Sequence, residues 1–503
     1  MKAKFPEDFV WGTAISAFQT EMGVSKEADF AGTDWYQWTH SPEIIEKHLV
    51  SGDLPEKGDG FWDLYEEDLK RAKELGTNAI RLSIEWGRIF PESTEPVEAK
   101  VSRNKGGDVI AVGVDEGGFG ALSKIANWDV VEHYRKMLAY AKSLGLKVFL
   151  TANHFALPFW LHDPVACHKD MEKASKKGWV DEKTVLEFGK YSDFAARVFS
   201  ESVDMWETIN EPDVIPMSAY ILGSTYGFPP GLEDPLLGFR VERNLVLAHN
   251  LGYANIKKHS PGKPVGIGIA PNVFFPVDND PRSQKAAEYA TYMSAEWILN
   301  ALIYGCFDND FDMVTDERAE GVGGSDFIGI DYYQRVRMRY NESAPLGGVI
   351  NMEMLPCVDC TDFGWDIYPE GIRSVSNWIF SKYRAPLYIL ENGIADAKDE
   401  KRARFTKDHL KALADAINVD GLPIKGYFHW SLMDNFEWAN GYSMRFGLYS
   451  VDYETKKREK RKSARPDSSI TSEMPGRTAS RSLRFLRQQG RLPLISVRYP
   501  SHR

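Results

Sequence analysis

Residues 62–84 read WDLYEEDLKRAKELGTNAIRLSI. Trp62, Tyr65, Leu69, Ala72 and Leu75 recur at helical spacing, with Glu66, Asp68, Lys70 and Glu74 between them. That spacing predicts an amphipathic helix with its charged residues outward. Gly76 is a natural left-handed stop, and Asn78–Ile84 is an apolar run of strand length directly after it. Helix, glycine, buried strand is one unit of an alternating α/β chain. The stretch 184–199 repeats it, with Val185, Phe188, Tyr191, Ala195 and Phe199 on one face ahead of a strand at 203–209.

Outward from this unit, eight strands are expected: 9–16, 78–84, 146–152, 203–209, 264–270, 326–331, 387–391 and 425–431. Eightfold strand–helix alternation predicts an α/β fold, a (β/α)8 TIM barrel with long rim loops. A doubly wound sheet alternates too. It leaves unexplained why polar, reactive residues end nearly every strand, where a barrel carries its site. The barrel is expected over 1–464, with a Gly- and charge-rich rim insertion at about 91–127. Residues 465–503 read as a divergent basic tail, expected to be disordered.

The 503 residues carry a net charge of −11. Fourteen Lys/Arg against three Asp/Glu after residue 455 make the tail +11 and leave −22 on the rest. An acidic body argues against a nucleic-acid partner, which needs basic surface. The opening Met1-Lys2-Ala3-Lys4-Phe5-Pro6 lacks a signal-peptide apolar run and no stretch approaches a membrane span, so a cytoplasmic protein is expected. Cys357 and Cys360 have CxxC spacing without a second pair and read as two loop thiols, a local disulfide or a metal contact being the alternative. The histidines are scattered, none pairing with another beside carboxylates, so no metal site and no cofactor are expected.

Two glutamates carry the chemistry. Glu211 follows the fourth strand in Thr208-Ile209-Asn210-Glu211-Pro212, and Glu391 ends the seventh in Ile389-Leu390-Glu391-Asn392-Gly393. In an eight-strand ring these positions lie nearly opposite. Two facing carboxyls, one neutral and one charged, are what cleavage of a glycosidic bond requires. Arg81, ending strand two, is placed to keep one of them ionised, and Tyr333, just past strand six, to donate to the same oxygen. Taken singly, Glu-Asn-Gly reads as a strand-ending turn, Asn-Glu-Pro as a loop start and Arg81 as a structural ion pair. Their common position at strand ends, in the right order, favours a site.

With Phe-Gln-Thr-Glu (18–21), Ile-Glu-Trp (84–86), Asp-Phe-Gly-Trp (362–365) and His-Trp-Ser-Leu-Met-Asp-Asn-Phe-Glu-Trp (429–438), these motifs resemble glycoside hydrolase family 1, most of all its archaeal hyperthermophile branch. The likeness runs from Phe5 to about Ala464. It implies a retaining, exo-acting hydrolase of terminal β-D-glucosides or galactosides, with a β-mannosidase or a catalytically dead sugar binder as alternatives. It implies Glu211 as acid/base, Glu391 as nucleophile, and Arg81 and Tyr333 as the nucleophile's supports. Gln19, His154, Asn210, Glu437 and Trp438 are then ligands of the terminal sugar: Asn210 for the 2-hydroxyl, Gln19 and Glu437 for the 4- and 6-hydroxyls. Trp430 is its stacking platform, and Trp365 lines the leaving-group side. Glu437 would repel a phosphate, which disfavours a 6-phosphosugar. Small β-glycosides or oligosaccharides are the expected partners, and a homo-oligomer, a tetramer, is allowed by analogy.

The chain departs from that pattern in three places. Asp331 stands where the family usually has Asn, and an anionic Asp331 is expected to raise the pKa of Glu211. Phe155 follows His154 where the archaeal branch often has Trp. After Lys462-Ser463-Ala464 the family's terminal helix gives way to the basic tail, the kind of ending a frame shift produces.

Overall fold

The computed structural model describes residues 5–346 and 350–465. Its centre is a closed barrel of β1 (Val10–Ala14), β2 (Ala79–Ser83), β3 (Lys147–Asn153), β4 (Met205–Asn210), β5 (Val265–Ile269), β6 (Ile328–Asp331), β7 (Leu387–Asn392) and β8 (Ile424–Trp430). Each strand pairs in parallel with the next in sequence, and β8 closes on β1. All eight expected strands are present, within a few residues of the expected ends. Among the described residues seven helical segments stand outside, from Phe61–Glu74 to Arg402–Asn418. Among the described residues no α-helix follows β8. The tail beyond Arg465, where an eighth would fall, lies outside the described residues.

The opening unit folds as its periodicity predicts, with one correction. Trp62, Leu69, Ala72 and Leu75 are buried, and Gly76 takes φ 85°. Asp68, however, is not on the outer face. It is fully buried between Arg458 Nη2 (2.7 Å) and Arg71 Nη1 (2.8 Å). Arg458 arrives on a late hairpin, Tyr449–Val451 with Arg458–Lys460, that covers this helix and supplies the counter-charge a buried carboxylate needs.

Inside the barrel, side chains form two levels. An aromatic plug of Phe149, Phe327 and Phe428 fills the lower one, with ring centroids 5.4 and 5.5 Å apart in edge-to-face contacts. Gly12 makes room for it: a Cβ there would lie 2.2 Å from the Phe428 ring. Above the plug stand Arg81, Glu207, Asn210, Asp331 and Glu391, all buried. On β4, Glu207 points inward, while Thr208 points out and meets His249 Nδ1 at 2.7 Å; the register shift between Glu207 and Asn210 then breaks the alternation and brings Asn210 inward as well.

Residues 91–127 form a hairpin (Lys100–Arg103 with Val109–Gly113) and a helix, Glu116–Ile125. They lie against the outer helices Glu182–Phe199 and Pro235–His259. Val112 fills a notch over Gly189, where a Cβ would meet it at 2.8 Å, and Arg103 pairs with Glu182 at 2.7 Å. Cys357 and Cys360 are not free thiols; they form a disulfide with Cα atoms 5.4 Å apart. CxxC spacing in a turn already brings the two sulfurs within bonding reach. The bridge sits at the root of the loop carrying Phe363 and Trp365, where Lys401 Nζ donates to Cys360 O at 2.6 Å.

Candidate active site

At the C-terminal ends of the strands opens a cavity of about 690 Å³. Glu211, Glu391, His154, Tyr333, Trp365, Trp430, Glu437 and Trp438 all line it. Gln19, Asn210 and Arg81 are buried directly behind this wall. Carboxylate oxygens of Glu211, Asp331 and Glu391 lie within 4.8 Å of one another. The two glutamates thus face one gap rather than separate chambers.

Local sequence explains how each is held. The N–H of Glu211 donates to Gly268 O on β5 (3.1 Å), and its φ of 43° lies in the left-handed region that non-glycine residues seldom occupy. Glu391 ends β7. Its neighbour Asn392 donates to Tyr332 O at 2.6 Å and accepts from Tyr427 Oη at 3.0 Å, tying β7 to both flanking elements. Gly393 permits the close approach of β8, since a Cβ there would sit 1.7 Å from Trp430 O. Glu-Asn-Gly is therefore a strand-ending turn and an anchorage at once.

The two carboxyls have unlike surroundings. Glu391 accepts from Arg81 Nη1 on Oε1 and from Tyr333 Oη on Oε2, both at 2.5 Å, so the two donors hold different oxygens rather than the same one, each carboxylate oxygen having its own lone pairs to offer. No donor meets the Glu211 carboxyl among the described residues. Burial pushes both above the usual carboxylate range; Arg81 and Tyr333 pull Glu391 back, while the charges of Glu391, Asp213 and Glu207 push Glu211 well above it. The lowering expected for Glu391 is thus relative, and it separates the pair in the required sense.

Asp331 behaves contrary to expectation. Burial raises it strongly, and the charges of Glu391, Glu211 and Glu207 raise it further. The charges raising Glu211 come from its other neighbours. Glu437 is pushed up to about 8 by burial and by Glu391. At neutral pH it is mostly uncharged, so the charge argument against a 6-phosphosugar weakens. Burial and the nearby Arg81 charge keep His154 neutral.

The remaining residues fall around this centre. Gln19 Nε2 donates to Phe436 O (2.9 Å) and Glu437 Oε2 (3.5 Å). Asn210 Oδ1 accepts from Arg81, and its Nδ2 is 3.3 Å from His154 Nε2. The rings of Trp430 and Trp438 lie nearly parallel to that of His154, with centroids 5.9 and 6.0 Å away. Trp365 packs on Tyr333 (5.3 Å) and on Phe363 (4.1 Å). Other residues of the site were missed by sequence reasoning, and four of them bear on its shape or charge. Phe363 and Phe228 line the cavity, as does Asp213. Glu207 receives Arg81 Nε (3.0 Å), Arg81 Nη2 (2.7 Å) and Thr151 Oγ1 (2.5 Å). A charged residue inside the otherwise buried strand VDMWETIN was the available signal.

Comparison with known proteins agrees with this geometry. The model of the family described as Glycosyl hydrolase family 1 matches residues 1–102 and 119–474. The beta-galactosidase of Pyrococcus woesei is 39% identical over 485 residues, covering 90% of this chain and 94% of the relative. That of Saccharolobus solfataricus is 38% identical over 460 residues, covering 90% and 92%. The solved β-glycosidase of the hyperthermophile Thermosphaera aggregans superposes with a TM-score of 0.84 at 34% identity, covering 92% of this chain and 95% of the other.

Proposed function

We propose, from the premise that this chain belongs to glycosyl hydrolase family 1 and is a β-glycosidase, that it removes terminal β-D-glucose or β-D-galactose with retention of configuration. The observation that carries this reading is the placing of Glu211 and Glu391 oxygens within 4.8 Å across one cavity. Retaining enzymes hold their carboxyls about 5–5.5 Å apart; inverting ones need roughly 6.5–9.5 Å, to admit a water.

The roles follow from the surroundings. Glu391, fixed by Arg81 and Tyr333 and less strongly raised, attacks the anomeric carbon and forms a glycosyl-enzyme. Glu211 keeps its proton and gives it to the departing oxygen. Once Glu391 is esterified its charge is gone, the pKa of Glu211 falls, and Glu211 becomes the base that activates water. Gln19, His154, Asn210, Glu437 and Trp438 hold the terminal sugar over Trp430. A mostly neutral Glu437 serves as both donor and acceptor to hydroxyls. Trp365, with Phe363 stacked behind it, lines the leaving-group side, and the cavity has room beyond a single pyranose ring. Small β-glycosides and oligosaccharides are the substrates. Solved relatives include a β-glucosidase mutant derived from a tetrameric structure, which supports a homo-oligomer here.

The test is a panel of p-nitrophenyl β-glucoside, galactoside and mannoside, with NMR of the first-formed anomer. The β-anomer is expected first, with glucoside or galactoside preferred. First release of the α-anomer defeats the retaining assignment, and a preference for mannoside moves the specificity. Glu391→Gly is expected to lower kcat by roughly 10⁴-fold or more, with azide restoring turnover. No turnover by the parent on any of the three would mark a sugar-binding protein.

A further inference from the structure

The upper level of the barrel holds more carboxyls than the reaction uses. Arg81 from β2 faces Glu207 from β4, Glu391 from β7 and Asp331 from β6, with Glu211 just past β4 and Tyr333 just past β6. Arg81 is the one cation in this group. Four of its five N–H donors are committed to Glu207 Oε2, Glu391 Oε1 and Asn210 Oδ1, and none of its hydrogen bonds reaches Asp331. Asp331 is 1% exposed, and neither of its oxygens meets an N–H or O–H donor among the described residues. Glu207 Oε1 is likewise without a partner. Two of these oxygens border the same spot beside Gly268, where a Cβ would lie 2.4 Å from Glu207 Oε1 and 3.4 Å from Asp331 Oδ2.

A buried carboxylate with no donor and three carboxyl neighbours is untenable as an anion. Either a cation or a proton must compensate. Arg81 already occupies the near side of Glu391, which disfavours a second cation among these oxygens. A proton on one Asp331 oxygen pairs that oxygen with Glu207 Oε1 and removes the charge from the other, because a carboxylic acid is a donor and Glu207 Oε1 is a free acceptor.

We propose that Asp331 stays protonated through the enzyme's working pH range and donates a hydrogen bond to Glu207 Oε1, making it a positioning residue for Arg81 and, through Arg81, for Glu391. Glu207 binds Arg81 with one oxygen and Asp331 with the other. The guanidinium is thereby fixed at the height of the nucleophile without a further negative charge beside it. The direction in which Asp331 is raised agrees with this arrangement. The inference rests on the reading of Glu211 and Glu391 as the reacting pair.

Two measurements test it. Infrared difference spectra of wild type against Asp331→Asn at neutral pH are expected to show loss of one protonated-carboxyl C=O band, a readout that needs no turnover. In unmutated protein, ¹³C-aspartate labelling isolates the aspartic-acid bands, and covalent trapping of Glu391 by a fluoroglycoside is expected to shift one of them. In pH–rate profiles, Asp331→Ala is expected to lose roughly 10- to 100-fold in kcat/KM, the cost of a missing hydrogen bond to a charged group. Asp331→Asn should recover most of that loss, with the alkaline limb unmoved. Absence of the band, or an alkaline limb displaced to lower pH in Asp331→Asn, overturns the proposal, since either means that Asp331 is an anion. Failure of the parent on every glycoside would instead defeat the glycosidase reading and leave the infrared result standing.

Discussion

At the scale of single residues, the site works by giving two like groups unlike neighbours. Tyr333 Oη donates to Glu391 and lowers its pKa by bonding the charged form. Tyr333→Phe is expected to reduce kcat/KM roughly 10- to 100-fold. Glu391 must be ionised to attack, so raising its pKa makes activity disappear earlier as pH falls; the acid limb of the pH–rate profile should move upward. An unmoved limb would show that Arg81 alone sets the nucleophile. Glu211 and Glu391 were legible because each stands in a short motif at a strand end. Glu207 was readable in principle as a charge inside a buried strand. Its function was not, because that depends on Arg81, which lies 126 residues away, and on an orphan oxygen that only coordinates reveal.

At the scale of elements, the eight strands were legible because burial inside a barrel makes each a short apolar run, and their polar ends mark the mouth. Long-range pairing was not. Asp68 sits at an outward-looking position of its helix period, and its partner Arg458 is 390 residues later. The disulfide was similarly open, since CxxC spacing allows a bridge without requiring one. Cys357–Cys360 closes a short loop, so its stabilising effect is at the small end, about 2 kcal/mol. It sits at the root of the Phe363–Trp365 loop, and Asp366, just past those rings, is held by Arg335 Nε at 2.7 Å. Replacing both cysteines by serine is expected to raise KM for aryl glycosides while changing kcat little and leaving the melting temperature nearly unaltered. Equal KM values for the two forms would show that the Arg335–Asp366 pair suffices.

At the scale of the whole molecule, the last described hairpin is a structural tie rather than an appendage. Arg458 and Asp68 are both buried, and Arg458 Nη2 also donates to Asp59 O at 2.6 Å. Arg458→Met leaves a buried carboxylate with only Arg71. It is expected to cost about 3–5 kcal/mol in urea unfolding, with the pH–rate profile of the remaining folded enzyme unchanged. A loss below about 1 kcal/mol, the range of exposed pairs, would mean that the hairpin is dispensable. The hairpin at 100–113 points the other way. Val112 and Arg103 anchor it on the outer wall, and its tip, Lys105 to Gly107, is exposed, with nothing within 4 Å of a Cβ on Gly107. No residue of it lines the cavity. That tip is a place to splice in foreign cargo, such as a tether to a solid support or a second folded module, carried on the flank of the enzyme while the mouth stays open to sugar.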